Sequence, residues 1–418
     1  MIKVGKPDSP RIRRLQGAVR KKRRSAEARF WASLARSRTP IIEPVEDDPT
    51  RSWVTYVWRG DARTRSVGLS SPQTEFGEFD PLTRLAGTQV WYRTVKTRND
   101  CMGAYLLVPN PPSMSFAALA DFLAALARGK LDPLNPARFV STGDPVLAET
   151  TIYGGEYSVL HLKAAPDHPE VRRNPRRVAG NVRQYQFRSR ALKNRRRVWV
   201  YTPPSVAADA REPRLVIFFD GFGYVHEIDA PVSLDNLLLK RRILPTYAVF
   251  VDAMDLATRA QELRPNPAFG VFLTKELLPW IRRTLRHRFD ASHTTLAGFS
   301  YGGLCATYWA MRYPTHFGSV LSQSGSFWWA PKDAAEPNAL AREFMHRPKL
   351  PLKFYLDAGR YEGTATKENG ESQLASNRHL RDVLLLRGYR VRYQTYNGGH
   401  DTYCWRQTLV DGLTWVLS

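Results

Sequence analysis

Leu296-Ala297-Gly298-Phe299-Ser300-Tyr301-Gly302-Gly303 is the stretch on which the reading of this chain turns. The short apolar run Thr294 to Ala297 reads as a buried strand, and Leu304 to Arg312 reads as a helix. Between them lies G-x-S-x-G, in the strand, sharp turn, helix context that gives the motif its meaning. A turn this tight strains the serine backbone. Glycines two residues before and after it remove the side chains that would collide there. Ser300 then stands at a helix N-terminus, where free N–H groups and the helix dipole favour negative charge. That suits an alkoxide nucleophile and an oxyanion. The competing reading is a tight turn with a structural role alone.

The chain around this stretch has 418 residues, too many for one ordinary domain, and is read as two. Its formal net charge is +23, unevenly spread. Residues 1–40 hold thirteen Lys or Arg against Asp8 and Glu27, so this segment carries +11 and the remaining body about +12. A basic body favours an anionic ligand. Residues 1–45, with the cluster Arg20-Lys21-Lys22-Arg23-Arg24, read as a basic arm, disordered or partly helical. Such an arm could contact nucleic acid or an anionic surface, be a solvated tail, or act as an Arg-rich transit peptide. Nucleic acid is the less favoured partner, and the arm leaves it open. Cys101, Cys305 and Cys404 show no paired spacing and fit a reducing compartment. No apolar run reaches the ~18 residues of a membrane span, and the N-terminus lacks the apolar core of a secretory signal. The expectation is a soluble, cytoplasmic protein with no membrane partner; its oligomeric state is left open.

Texture divides the chain further. Trp53 to Trp58, Val90 to Val95 and Ala104 to Val108 are short strands separated by turns, so residues 46–165 are expected to form a small all-β sandwich. Phe116 to Arg128 is a helix candidate within it. Residues 166–182, rich in proline and with Arg172, Arg173, Arg176 and Arg177, read as a linker. From 183 to 418 the pattern changes. Gln184 to Ser189 and Arg197 to Tyr201 flank a hairpin turn at Leu192-Lys193-Asn194. Strands at Leu215 to Phe219, Ala248 to Val251, Ser319 to Ser322, Lys353 to Leu356 and Val391 to Tyr396 then alternate with helices, including Phe269 to Arg286 and Leu374 to Arg387. Continuous apolar strands separated by helices mean a mainly parallel sheet covered on both faces. With a nucleophile elbow in its middle, this is an α/β-hydrolase architecture.

In that architecture the catalytic order along the chain is Ser, acid, His. Gly398-Gly399-His400-Asp401 follows the last strand, and His400 is the candidate base that takes the serine proton and returns it to the leaving alcohol. The acid should follow the strand Lys353 to Leu356, where Asp357 and Glu362 both stand. Glu362 is preferred for its longer reach, with Asp357 or a Ser–His dyad as alternatives. The oxyanion hole requires two backbone N–H groups, one from Tyr301 and one from Gly221 or Phe222 in the loop after Phe219. That glycine-rich loop could also be a plain tight turn.

Several stretches together resemble the enterochelin (enterobactin) esterase family, from about residue 50 to the end. They are Phe219-Asp220-Gly221, Arg259-Ala260-Gln261-Glu262-Leu263, the elbow, Leu321-Ser322-Gln323-Ser324-Gly325-Ser326-Phe327-Trp328-Trp329, and Gly398 to Asp401 with Trp405-Arg406. Arg84 to Trp91, Asp132-Pro133-Leu134-Asn135-Pro136 and Leu192 to Trp199 match as well. The resemblance implies a serine esterase that cleaves the serine–serine esters of a tris-catecholate trilactone siderophore, apo or ferric. It implies Ser300, His400 and Glu362 as triad, Arg259 and Glu262 near the substrate, and Trp328 or Trp329 facing the catechol rings. Residue by residue the alternatives are core aromatics for the tryptophans and a surface i,i+3 pair for Arg259 and Glu262. No cofactor or catalytic metal is expected; iron(III) would enter only with the substrate. Rival functions are another esterase or acyltransferase on this fold, or a ferric-siderophore binding protein.

Overall fold

The computed structural model describes residues 8–23, 25–141, 155–174, 179–204, 212–334, 336–364 and 370–418. Arg176 and Arg177 of the expected linker lie outside them. The chain divides into two units. One comprises residues 1–141, 155–166 and 397–401; the other comprises 142–154, 167–396 and 402–418.

The second unit is built on an eight-stranded sheet. Its strands lie in the order Asn181–Ser189, Asn194–Thr202, Thr246–Val251, Arg214–Phe219, Thr294–Phe299, Ser319–Gln323, Lys353–Gly359 and Arg390–Tyr396. The first two pairings are antiparallel and the rest parallel. The hairpin turns where Leu192-Lys193-Asn194 was read. The strand Thr294–Phe299 sits inside this sheet with all six residues buried, Leu296 pairing with Ile217 on one side and Val320 on the other. Its uninterrupted apolar sequence is what a strand covered on both faces requires. A core of Ile217, Val249, Leu296, Phe269, Leu304, Phe354 and their neighbours fills the space between sheet and helices. Each large side chain so buried stabilises by about 1.5–3 kcal/mol.

The helix expected over 269–286 is present with a change of pitch. Pro267–Val271 leads into a π-helical stretch, Phe272–Leu277, and then Leu278–Leu285. Pro279 has no N–H to donate, and the wider turn lies just before it.

The first unit holds two antiparallel sheets. One has the order Ile41–Val45, Asp48–Arg59, Val90–Arg98, Thr83–Arg84; the other Asp80–Pro81, Val67–Ser70, Met102–Pro109, Gly155–His161, Arg138–Ser141. Among the described residues, the helix candidate 116–128 is present as Leu119–Leu126, and two further helices, Pro10–Arg20 and Ala26–Ser37, precede the region 46–165.

The expectation of a basic arm over residues 1–45, disordered or partly helical, is corrected for the described residues 8–23 and 25–45, which are folded; residues 1–7 and 24 lie outside the described residues. Charge dominated that reading and hid a helical stripe. Ile12, Leu15, Phe30 and Leu34 pack with Ile41, Val57, Leu85, Val90 and Tyr92 in one buried cluster. The Ser9 Oγ accepts the Ile12 N–H and donates to Glu43, whose other oxygen takes the Arg11 N–H at 2.9 Å. Arg13, Arg14, Arg20, Arg23, Arg29, Arg36 and Arg38 are exposed. Within the expected linker, the described stretch around Glu170 is anchored. Buried Glu170 accepts from Lys240 at 2.8 Å and Arg242 at 2.9 Å, and Asn236 donates to the Glu170 carbonyl. Among the described residues no helix is long and apolar enough to cross a membrane.

If the basic segment is part of the core, Leu34→Ala should lower the unfolding free energy by about 2–5 kcal/mol. A urea titration measures this; an unchanged midpoint would return residues 1–40 to a solvated tail.

Candidate active site

Ser300 ends its strand and caps the helix Tyr301–Arg312 with φ 54° and ψ −122°, a conformation L side chains rarely adopt. The surrounding sequence makes it possible. A Cβ on Gly298 would overlap the backbone of Gly302, one on Gly302 would lie 2.8 Å from the Asp220 Oδ2, and one on Gly303 would overlap the Ser322 Oγ. The Ser300 N–H donates to the Gln323 carbonyl at 2.9 Å. The Ser300 carbonyl accepts from Gly303, Leu304 and the Ser326 N–H, the last at 3.0 Å. The Ser326 Oγ lies 3.4 Å from the Ser300 Oγ. The strained backbone is therefore held from both neighbouring segments, as persistence of such a conformation demands.

Tyr301 opens the helix, so its N–H belongs to the first turn, which has no intrahelical acceptor. Gly221 and Phe222 lead into the turn Gly223–Glu227. A Cβ on Gly221 would lie 2.6 Å from the Phe250 carbonyl carbon, so the loop runs close against the neighbouring strand. Asp220 just before it has φ 58° and is gripped by Arg259, Nε to Oδ1 at 2.6 Å and Nη2 to Oδ2 at 2.8 Å. This pair is buried and bidentate, the strong kind of ion pair.

Arg259 and Glu262 do not form the surface pair that their spacing allowed. Arg259 borders a cleft with Asp220, Phe222, Gly223, Asp255 and Phe299. Glu262 is buried and takes the Arg196 Nη2 on both oxygens at 2.7 Å, and the Asn194 Nδ2 at 2.9 Å. Trp328 is buried, with its Nε1 on the Gln373 Oε1 at 2.5 Å and its ring 5.8 Å from that of Tyr301. Trp329 is half-buried against the core.

The two candidate acids have different surroundings. Asp357 is the fully buried fifth residue of Lys353–Gly359, and its Oδ1 accepts the Ser324 N–H at 3.3 Å. Burial pushes its carboxyl up to about 8. Glu362 lies beyond a turn that folds back on the strand end: its N–H donates to the Gly359 carbonyl, and its Oε1 accepts the Gly359 N–H at 2.6 Å. The same Oε1 takes the Ser324 hydroxyl at 2.7 Å and the Tyr396 hydroxyl at 3.1 Å. The structure thus gives Glu362 an oriented carboxylate and Asp357 a protonated, dry one.

His400 lies on the segment 397–401, which groups with the first unit although both its flanks belong to the second. Its ring meets Phe76 edge-on at 5.4 Å. A Cβ on Gly399 would come 2.8 Å from the Pro72 carbonyl oxygen, so one of the two glycines before His400 is there for close approach. Sequence reasoning missed Gln323, Ser324, Ser326 and Tyr396 as parts of this site. The only signal was the Ser322 to Ser326 run, which carried the resemblance without a role.

An elbow serine over a mainly parallel sheet defines the class, a serine hydrolase of the esterase type. A family model described as "Putative esterase" matches residues 189–416, and one described as "Enterochelin esterase, N-terminal" matches 53–171. The chain belongs to the enterochelin esterase family. It is 30% identical over 94% of each chain to an iron(III) enterobactin esterase of Dickeya dadantii. The crystal structure of a ferric enterobactin esterase from Salmonella typhimurium matches with TM-score 0.75 at 27% identity, over 93% of this chain and 98% of that one. The enterobactin esterase of Shigella flexneri, solved in the presence of enterobactin, matches with TM-score 0.71 at 26% identity, over 93% and 97%.

Asp357 titrates near 3.8 when unfolded and near 8 when folded. Between those values the folded protein holds a proton that the unfolded chain has lost, so this group's contribution to stability falls as pH rises from about 4 to about 8. Asp357→Asn should flatten that part of the stability profile, measured by thermal unfolding from pH 4 to 9. A profile with the wild-type slope would contradict a buried, protonated Asp357.

Proposed function

We propose that this chain is a cytoplasmic esterase that hydrolyses the ester bonds of a tris-catecholate trilactone siderophore, ferric or apo. The observation that carries the reading is the strained Ser300 elbow in a chain whose relatives are named iron(III) enterobactin esterases. An α/β-hydrolase domain preceded by a β-sandwich is the architecture that accommodates the two units.

Ser300 attacks an ester carbonyl while His400 takes its proton. Glu362 holds the imidazole in the correct tautomer and stabilises the imidazolium. The oxyanion is met by the N–H groups of Tyr301 and of Gly221 or Phe222. The intermediate collapses, the seryl hydroxyl leaves with the proton from His400, and an acyl-enzyme remains on Ser300. Water, deprotonated by His400, then attacks the acyl carbonyl and releases the carboxylate and free Ser300. The protein supplies no metal to these steps; iron, when present, arrives with the substrate.

Two features support the substrate class. A ferric tris-catecholate is trianionic, and the chain carries a formal +23. Its planar rings suit aromatic and cationic walls, and Arg259 and Arg264 lie 5.6 and 4.9 Å from the ring of Tyr301 beside the nucleophile. Trp329, being half-buried, is the better placed of the two tryptophans to meet a ring, whereas Trp328 serves the core. The role proposed for Arg259 is to hold Asp220 and with it the oxyanion loop. The three cysteines are buried and form no disulfide among the described residues, which suits a reducing compartment.

Product analysis with a tris-catecholate trilactone, with and without iron, tests this. The wild type should release dihydroxybenzoyl-serine products, and Ser300→Ala should release none while keeping its fold. Glu362→Gln should lower kcat by up to roughly 10⁴-fold, whereas Asp357→Asn should stay near the wild type. Turnover of nitrophenyl acetates well above that of the trilactone, compared by kcat/KM, would move the reading to another ester.

A further inference from the structure

The catalytic reading gives the buried Ser324 no role. Ser324, just past the strand Ser319–Gln323, has φ 46° and no solvent exposure. Such a conformation is costly for a residue with a Cβ, and glycine would adopt it freely. A serine there implies that its hydroxyl is needed.

The chemistry of its partners fixes what the hydroxyl does. The Trp405 indole can only donate, and its Nε1–H points to the Ser324 Oγ at 3.2 Å. An ionised Glu362 can only accept, so the Ser324 proton goes to Oε1 at 2.7 Å. The Tyr396 hydroxyl lies 3.0 Å from the Ser324 Oγ and 3.1 Å from the same Oε1. The Ser324 and Tyr396 hydroxyls thus both meet one carboxylate oxygen, and the Trp405 indole is attached to it through the Ser324 Oγ. The Ser324 backbone is pinned as well, its N–H on the Asp357 carbonyl at 2.9 Å and its carbonyl accepting from the Gln373 Nε2.

Tyr396 ends the last strand, and Trp405 stands in the first turn of Thr402–Leu417. These two residues flank the segment that carries His400. Gln323 strengthens the second attachment, donating from Nε2 to the Trp405 carbonyl at 2.8 Å, while its own carbonyl holds the Ser300 N–H. We propose that Ser324 is a positioning residue for ester hydrolysis: it orients Glu362 and, through Tyr396 and Trp405, fixes both ends of the His400 loop to that carboxylate. The proposal rests on the Ser300–His400–Glu362 reading and adds to it the role of the Ser322 to Ser326 run. That run then serves the whole triad, since Gln323 and Ser326 hold the Ser300 backbone.

The test is a pair of variants assayed on the trilactone across pH. Ser324→Gly tolerates the backbone angle and removes the hydroxyl. Its kcat should fall by about 10–100-fold, the loss expected of a displaced catalytic group, with KM near the wild type. The acid limb of kcat/KM should move to lower pH, because a loosely held carboxylate stabilises the imidazolium less. Tyr396→Phe deletes one oxygen and should move the limb the same way by less. Should Ser324→Gly fail to fold, Tyr396→Phe carries the test alone. A folded variant with lowered melting temperature but wild-type kcat and an unmoved acid limb would overturn the proposal, leaving Ser324 a purely structural residue. Activity retained by Ser300→Ala is a different failure, since it removes the triad reading itself.

Discussion

The site depends on how closely two strand ends and one helix can approach when side chains are missing. Gly298, Gly302 and Gly303 each stand where a Cβ would meet another backbone or a polar atom. Their absence of side chains lets Thr294–Phe299 turn directly into Tyr301–Arg312, leaving Ser300 with a backbone that no isolated peptide would favour. The strain persists because neighbouring hydrogen bonds over-determine it. The Ser300 N–H is held by Gln323, the last residue of the adjacent strand, and its carbonyl by Ser326 just beyond that strand. Strain of this order costs about 1–3 kcal/mol and needs rigid surroundings to survive. The fully buried sheet supplies them.

Charge is arranged by depth. Most of the excess positive charge lies in exposed side chains, where pairing contributes little, about 0–1 kcal/mol for a pair such as Arg98 with Asp100. Three pairs in the second unit differ. Arg259–Asp220, Arg196–Glu262 and Arg197–Asp252 are all buried or nearly so. Removing one partner from such a pair strands a charge and costs about 3–5 kcal/mol. Two of them meet the segment that starts at Asp220: Arg259 grips the Asp220 carboxylate and Arg197 lies 5.4 Å from the Phe222 ring.

The sheet was legible because its strands are continuous apolar runs and its elbow is a local motif. Serine and histidine could be named for the same reason, since both lie in short glycine-marked turns. The folded basic segment was not legible. A count of charge over residues 1–40 is blind to the spacing of Ile12, Leu15, Phe30 and Leu34, which buries them. Arg259 and Glu262 are three residues apart and look like partners; each pairs instead with a residue distant in sequence. The serine-rich run after the elbow carried resemblance but no chemistry. Its hydrogen bonds reach Glu362, Tyr396 and Trp405, 38 to 81 positions away.

The choice between the two carboxylates shows why spacing alone could not settle the acid. Asp357 and Glu362 are five positions apart, and either could have been placed beside an imidazole. Asp357 remains in the strand, where burial raises its carboxyl to about 8. A neutral acid there cannot supply the negative charge that stabilises an imidazolium. Glu362 has passed the turn at Gly359, and the chain bends so that its side chain reaches back to that glycine's N–H. Two hydroxyls, from Ser324 and Tyr396, complete its Oε1. Burial thus acts on one carboxyl, while hydrogen-bond donors orient the other. Here the separating device is one tight turn, which converts a five-residue interval into the difference between a dry strand interior and a hydrogen-bonded loop.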